Sequence, residues 1–392
     1  MTANPRSLAR RRVLISGGLN VGGPQTHVSL LARILVEVGA EVTIAAASSN
    51  WPPEALAPLR ALGVRIVVSP FGFGRWKFLG NLWCVVAWPF LLRRDYDLLY
   101  CIGEGKMHLW ASRFVAPGAW KIYHEIVDCP QPGSVAAQVA AKMDAVVANS
   151  RSVATEMHGL LGELPVRSIP FLISATSGGP VDRPVRRPDE PLRLAFLGRL
   201  ISHKRPGELI EAFPAWNGRA PIGPARLDLY GGDYNGEGGR LQEIIDRLGL
   251  EQSVRLHGAY ATGSLPALFA ATDLVVLPSR YEGLPLVLVE AMLRGVPVVA
   301  TSAGGTAELG DDNPDVIVTP GTDWNAFEAG VAAMAARIRG GQVDAARLQA
   351  WTEARYGYRR VAETWRAALL SPETFFAEKS ATPAAATEVR RG

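Results

Sequence analysis

The sequence predicts an α/β protein built from two doubly wound domains that face one another across a cleft. Three observations predict it. Short β-branched runs alternate with longer amphipathic stretches, the pattern of parallel sheets covered by helices. The alternation stops at a Pro- and Arg-rich segment, "GPVDRPVRRPDEP" (179–191), and then restarts. With 392 residues, 48% hydrophobic content and 20% charge, the chain is about twice the usual size of one globular domain.

In chain order, "RRVLISGG" reads as the first strand, "PQTHVSLLARILVEVG" as its helix and "AEVTIAAA" as the next strand. After the linker, "PLRLAFLGRL", "ARLDLYGG", "SVRLHG", "DLVVLPS" and "VPVVATS" are strands, each followed by a helix-like segment. The boundaries expected are 1–178 for the first domain, 179–191 for the linker and 192–355 for the second domain. "YGYRRVAETWRAALL" gives a C-terminal helix within 356–371, and 372–392 reads as a disordered tail. In such sheets ligands bind beyond the carboxyl ends of the strands, so the loops there are the ones to search.

Composition narrows the function. Cys84, Cys101 and Cys129 make an odd number without a CxxC pair, which argues against a disulfide framework or a structural zinc site and for a reducing cytosol. The basic N-terminus runs into glycines after "VLIS" and is not a signal peptide. Residues 1–180 carry 17 Lys and Arg against 11 Asp and Glu, whereas the remainder carries 24 against 26. The first domain therefore suits an acidic partner, although no basic stripe with interleaved aromatics indicates nucleic acid.

The most informative stretch is "PSRYEGLPLVLVEAMLRGVPVVATSAGG" (278–305). "DLVVLPS" is its strand, "RYEG" the carboxyl-end loop, Pro285 the expected first helical residue and Gly295 the stop. Glu290 then lies in a helix that is otherwise apolar, where an unpartnered carboxylate is expensive. The plain alternative is an i+4 pair with Arg294, which would explain neither the apolar surround nor the glycine loop. Glu282 stands at the cleft edge, just before Gly283, whose loop leaves backbone N–H groups open to hydroxyls and phosphates. Arg199 and Lys204, in "GRLISHK", follow another strand end; the alternative for both is a surface turn.

These residues resemble a known family. "EGLPLVLVE" is similar to the E-x7-E motif of the family 4 retaining glycosyltransferases of the GT-B fold, which have two Rossmann-like domains. "GGLNVGGPQTHVSLLARIL", "KIYHEIVD", "LAFLGRLISHKRPGELIEAF", "LDLYGGD" and "VRLHGAY" extend the resemblance over roughly residues 12 to 310. It implies that Glu290 takes the ribose hydroxyls of a nucleotide-sugar, and that Glu282 lies near the donor sugar or braces its loop. Backbone groups of Gly283, Leu284 and Leu286 would face the sugar and phosphate, while Arg199 and Lys204 hold the diphosphate in place of a metal. Tyr260 joins the donor set, Gly22 and Gly23 approach the donor phosphate, and His124 touches the donor sugar or the reaction centre, with Glu125 and Asp128 as weaker candidates. A satisfied structural histidine is the alternative for His124; His27 and His158 read as packing or surface residues. Pro24-Gln25 stands where many relatives have an acidic residue.

The implied function is a metal-independent, retaining hexosyltransferase with no cofactor, working in cell-surface glycan or glycolipid synthesis in the cytoplasm, at the inner face of the membrane. Its donor would be a UDP-sugar or, second, a GDP-sugar, and its acceptor a saccharide or lipid-linked hydroxyl. The glycine spacing Gly17, Gly18, Gly22, Gly23 departs from G-x-G-x-x-G and disfavours a dehydrogenase. A nucleotide-sugar epimerase and a noncatalytic sugar-nucleotide binding protein stay as alternatives. Asp95 and Asp97 have a D-x-D form but precede a strand, so they point away from the cleft. Residues 75–94 set an aromatic apolar stretch between Arg75, Lys77 and Arg93, Arg94, which suits either peripheral membrane contact or a helix packed on the first sheet.

Overall fold

The computed structural model describes residues 11–377 except 18–21, 50, 52, 72–76, 104, 127–130, 175–178, 182–186, 188, 234–235 and 322. Asp128, Arg75, Gly18, Cys129, part of the linker and residues 378–392 therefore lie outside the described residues, as does the side chain of Lys77.

Two all-parallel sheets form the molecule. The first contains β1 (Arg12–Gly17), β2 (Glu41–Ala46), β3 (Arg65–Val68), β4 (Leu98–Ile102), β5 (Trp120–Glu125), β6 (Ala145–Ala148) and β7 (Val166–Ser168), in the order β3-β2-β1-β4-β5-β6-β7. The second contains β8 (Leu192–Leu197), β9 (Ala225–Tyr230), β10 (Val254–Gly258), β11 (Leu274–Leu277), β12 (Val298–Thr301) and β13 (Val316–Thr319), in the order β10-β9-β8-β11-β12-β13. In each the order reverses beside the first strand, which opens a crevice at the carboxyl ends.

The strands are apolar on both sides because both faces are covered. Along β1, Val13 and Ile15 enter one core and Leu14 the other, as the two-residue period requires. One core layer is closed by α1 (Gly23–Glu37), α2 (Pro53–Ala61) and the C-terminal segment; the other is closed by α3 (Lys77–Leu91), α4 (Met107–Trp110) with a π turn at Ala111–Val115, α5 (Val135–Ala140) and α6 (Arg151–Leu161). Pro24 at the start of α1 suits a helix N-terminus, and the Ser150 hydroxyl caps α6 by accepting from Val153 N at 3.2 Å.

The second sheet is covered by α7 (Pro206–Trp216), α8 (Glu237–Leu248), α9 (Leu265–Ala270), α10 (Leu286–Met292) and α11 (Trp324–Arg339). After α12 (Ala345–Tyr356), α13 (Tyr358–Leu370) packs on α1: Val361, Trp365 and Leu369 are buried in the first domain's core, and Trp365 Nε1 donates to the Pro170 carbonyl at 2.9 Å. The expected disordered tail does not begin at residue 372. Residues 372–377 form α14 (Pro372–Ala377), anchored by buried Phe376 against Trp120.

The two domains meet around the cleft. Arg151, opening α6, donates to Glu308 at 2.7 Å and Asp311 at 2.6 Å in the second domain. A Cβ at Gly305 would lie 2.4 Å from Ser150 Cβ, and one at Gly23 would lie 2.9 Å from Leu286 Cδ1. The glycine loop of one domain and the start of α10 in the other thus share one wall.

Candidate active site

Helix α10 presents two faces of different chemistry. Leu288, Val289, Ala291 and Met292 are buried in the second core, whereas Leu286, Val287 and Glu290, spaced three and four apart, share the half-buried face beside the cleft. Pro285 is not the first helical residue, as the sequence suggested; it is the N-cap, with φ −73° and ψ 99°. Gly295 ends the turn that follows, with φ 68° and a Cβ position 2.5 Å from Ala345 Cβ, so only glycine fits.

Glu290 has no hydrogen-bond or ion-pair partner among the described residues, Arg294 included. Burial pushes its carboxyl up to about 7 from the ordinary 4.5. Tyr260, after β10, lies close enough that the Glu290 charge helps burial raise its phenol. Each of the two Glu290 carboxylate oxygens can accept, so the group has the chemistry to take a pair of vicinal hydroxyls.

The loop below Glu290 is fixed from both sides. Glu282 Oε1 accepts from the Ser279 hydroxyl at 2.7 Å and pairs with the Lys204 ammonium. The Thr301 hydroxyl donates to the Ser279 carbonyl, and Gly305 N donates to the Gly283 carbonyl at 2.7 Å. A Cβ at Gly304, whose φ is 50°, would lie 1.9 Å from the Glu282 carbonyl oxygen, so the two loops touch backbone to backbone. The N–H groups of Gly283, Leu284 and Leu286 find no acceptor among the described residues.

On the neighbouring strand end, Lys204 closes the turn Ser202–Lys204 and runs over Gly198, with its Cδ 3.4 Å from a Cβ built there. Lys204 is buried, whereas Arg199 is exposed. The His203 ring stacks on Tyr281 at 4.3 Å, and Arg280 N donates to the His203 carbonyl at 2.8 Å, tying the β8 and β11 loops together. Ser279 and His203 were missed from sequence. Ser279 left a signal, three residues before Glu282 on the same strand end; the stacking of His203 left none.

His124 requires a correction. The sequence reading put it at the donor sugar or the reaction centre, but the ring is completely buried. Its Nδ1 is bonded to the Tyr100 hydroxyl and its Nε2 to Asn149 Oδ1 at 2.7 Å, while Phe171 and Trp365 pack on it at 4.9 and 5.2 Å. With both nitrogens engaged it offers neither to the cleft, and burial pushes its basicity down to about 3. Buried His27 extends the network through Tyr100 at 2.8 Å and Leu172 N at 3.1 Å. His124→Ala is therefore expected to cost about 2 to 4 kcal/mol of stability, measured by denaturant unfolding, by opening a cavity and stranding two buried polar groups. An unchanged midpoint would contradict this structural role.

Glu125 is also engaged, by the Tyr123 hydroxyl at 2.9 Å and Ile126 N at 2.8 Å. Asp95 and Asp97 sit at the opposite end of the sheet from the cleft, where Asp97 accepts from Arg12 N at 2.8 Å and Asp95 pairs with Arg12 and Arg93. Gly22, with φ 124°, and Gly23 open α1 toward α10.

Two doubly wound domains meet on one cleft, with a cation-bearing strand end and a half-buried carboxylate on the second, which is the architecture of the GT-B fold. Residues 21–173 match the family described as Glycosyltransferase Family 4, and residues 181–336 match Glycosyl transferases group 1. The D-inositol 3-phosphate glycosyltransferase of Actinosynnema mirum is 30% identical over 358 residues, covering 79% of this chain and 82% of that protein. The enzyme of the same name from Rhodococcus erythropolis is 32% identical over 336 residues, covering 74% and 72%. The chain belongs to the family 4 glycosyltransferases. Among solved structures, HepE from Anabaena in complex with UDP and glucose superposes with TM-score 0.70 at 23% identity, covering 92% of this chain and 99% of that one. Sucrose-phosphate synthase from Thermosynechococcus elongatus superposes with TM-score 0.75 at 19% identity, covering 93% and 99%.

Proposed function

We propose that the protein transfers a hexose from a UDP-sugar to a saccharide or lipid-linked hydroxyl with retention of configuration and without a metal, in cell-surface glycan synthesis. The observation that carries the donor assignment is Glu290, half-buried, pushed up to about 7 and without a partner among the described residues. Ribose 2′- and 3′-hydroxyls would satisfy it, with the uracil extending toward Tyr260. UDP and UDP-glucose bound to the structurally similar HepE support a uridine donor, with a GDP-sugar as the second choice.

From the ribose, the diphosphate runs to the loop after β8, where Arg199 and Lys204 neutralise the charge that grows as the glycosidic bond to phosphate breaks. Glu282 orients Lys204, and the N–H groups at Gly283, Leu284 and Leu286 face the sugar and phosphate. Gly22 and Gly23 allow the first domain's backbone to come close on the other side. His124 and Glu125 are held by their own neighbours, which supports retention, in which the departing phosphate takes the acceptor proton on its own face. Asp128 lies outside the described residues.

Thermal stabilisation across UDP- and GDP-sugars selects the donor, and a panel of saccharide, lipid-linked and inositol phosphate acceptors then gives product. An α-linked donor is expected to give an α-linked product by the anomeric proton NMR signal. A β-linked product overturns retention; nucleotide binding without any product favours a binding protein.

A further inference from the structure

Helix α3 carries a stripe that nothing among the described residues covers. Phe78 is 74% exposed, Leu82 49%, Val86 60% and Phe90 84%, each four residues after the last. The opposite side is locked down: Cys84 and Trp88 are buried in the first domain's core. A Cβ at Gly80 would lie 2.5 Å from the Ala47 carbonyl oxygen, so the first turn sits on the loop after β2. The stripe is thus a rigid outer face, and it continues onto the next segment. Trp88 meets Trp110 at 6.0 Å, Trp110 meets Phe114 at 5.6 Å, and Phe114 is itself 50% exposed. An apolar patch of this kind on a rigid face marks an interaction site.

The charge around it selects the occupant. No Asp or Glu occurs between Glu54 and Asp95, nor between Glu104 and Glu125. Arg94, shortly after α3, and Lys106 and Arg113, around α4 and its π turn, are exposed, and the Arg113 guanidinium lies 5.6 Å over the Phe114 ring. Arg93 is engaged by Asp95 at 3.1 Å and Glu41 at 3.8 Å, so it adds less than its neighbours. Two copies meeting through this face about a two-fold axis would set its cations against each other. An anionic lipid surface instead satisfies both features, apolar rings entering the acyl boundary and cations meeting headgroups. Among the described residues no helix is long and apolar enough to cross a membrane, so this is contact from one side.

We infer that the first domain docks on anionic membranes through Phe78, Leu82, Val86, Phe90 and Phe114, with Arg94, Lys106 and Arg113 on the headgroups. Because α3 starts beside the carboxyl ends of β2 and β3, docking sets the rim of the cleft at the lipid surface. An acceptor carried by a lipid then reaches the site without leaving the bilayer.

Sedimentation of the full chain with phosphatidylcholine vesicles, with and without phosphatidylglycerol, tests this. Binding is expected to the mixed vesicles, to fall with salt, and to weaken at least about tenfold in Phe78→Ser/Phe90→Ser. Val86→Asp provides a second, independent variant. Both sets lie on the surface, so their melting temperature and UDP affinity should equal wild type. That control separates docking from the donor chemistry: lost vesicle binding with UDP affinity intact is a docking effect, whereas a wild type that binds vesicles but not UDP would count against the donor assignment alone. No binding to mixed vesicles, or binding undiminished in both variants, overturns docking. So does a dimer by light scattering that either variant dissociates, which would assign the face to a second copy.

Discussion

Glu290→Gln is expected to weaken UDP-glucose binding by roughly ten- to a hundredfold while leaving the protein as stable as wild type or more so at alkaline pH. The loss follows because the amide cannot offer two charged oxygens to a diol, and hydrogen bonds to a charged group contribute about 1.5 to 3 kcal/mol. The gain in stability follows from the same burial. Glu290 titrates at about 7 in the fold against an ordinary 4.5, so the native state holds its proton more tightly than the unfolded chain does. Its contribution is fully present below 4.5 and is lost as pH rises through about 7, where a charged group must sit desolvated. Glutamine has nothing to lose over that window. The melting-temperature difference between variant and wild type should therefore move in the variant's favour from pH 5 to pH 8. Donor affinity should behave oppositely, rising through about 7 in wild type as the carboxylate ionises and staying flat in the variant. Calorimetric titration with UDP-glucose, whose diphosphate does not change charge near neutrality, reads this directly. Equal affinity in the two proteins would remove Glu290 from the donor site.

Glu290 was legible in the sequence because it breaks a local rule: a carboxylate in an apolar helix after a strand end is conspicuous in any apolar count. The strands were legible for the complementary reason, since both faces of each sheet are covered and the runs are continuously β-branched. His124 was not legible. Its position at a strand end was read from the chain, but its partners Tyr100 and Asn149 come from β4 and the loop after β6. Only the lateral order of strands tells that both its nitrogens are engaged. The helix at 372–377 was missed similarly, because the apolar pair Phe375-Phe376 in a short segment acquires meaning only from Trp120 and Arg167 opposite it.

Lys204→Ala and Arg199→Ala are each expected to slow the chemical step by about 2 to 4 kcal/mol, roughly thirty- to a thousandfold in kcat, because each removes a fixed cation from the departing diphosphate. The two differ in what else they disturb. Arg199 is exposed, so its removal should cost less stability than that of buried Lys204. Lys204 is buried against Glu282, and its loss leaves that carboxylate, among the described residues, with the Ser279 hydroxyl as its polar contact. Lys204→Ala should thus also destabilise the fold. Lys204→Ala/Glu282→Gln separates the effects: neutralising the stranded carboxylate should restore stability, whereas the rate should stay low because the cation is still missing. Recovery of both would make Lys204 a structural residue alone. If these two cations carry the leaving-group charge, wild-type turnover should persist in EDTA at its untreated rate. Loss of turnover on chelation, restored by adding a divalent ion, would transfer that role to a metal and leave Arg199 and Lys204 to bind the diphosphate without driving its departure.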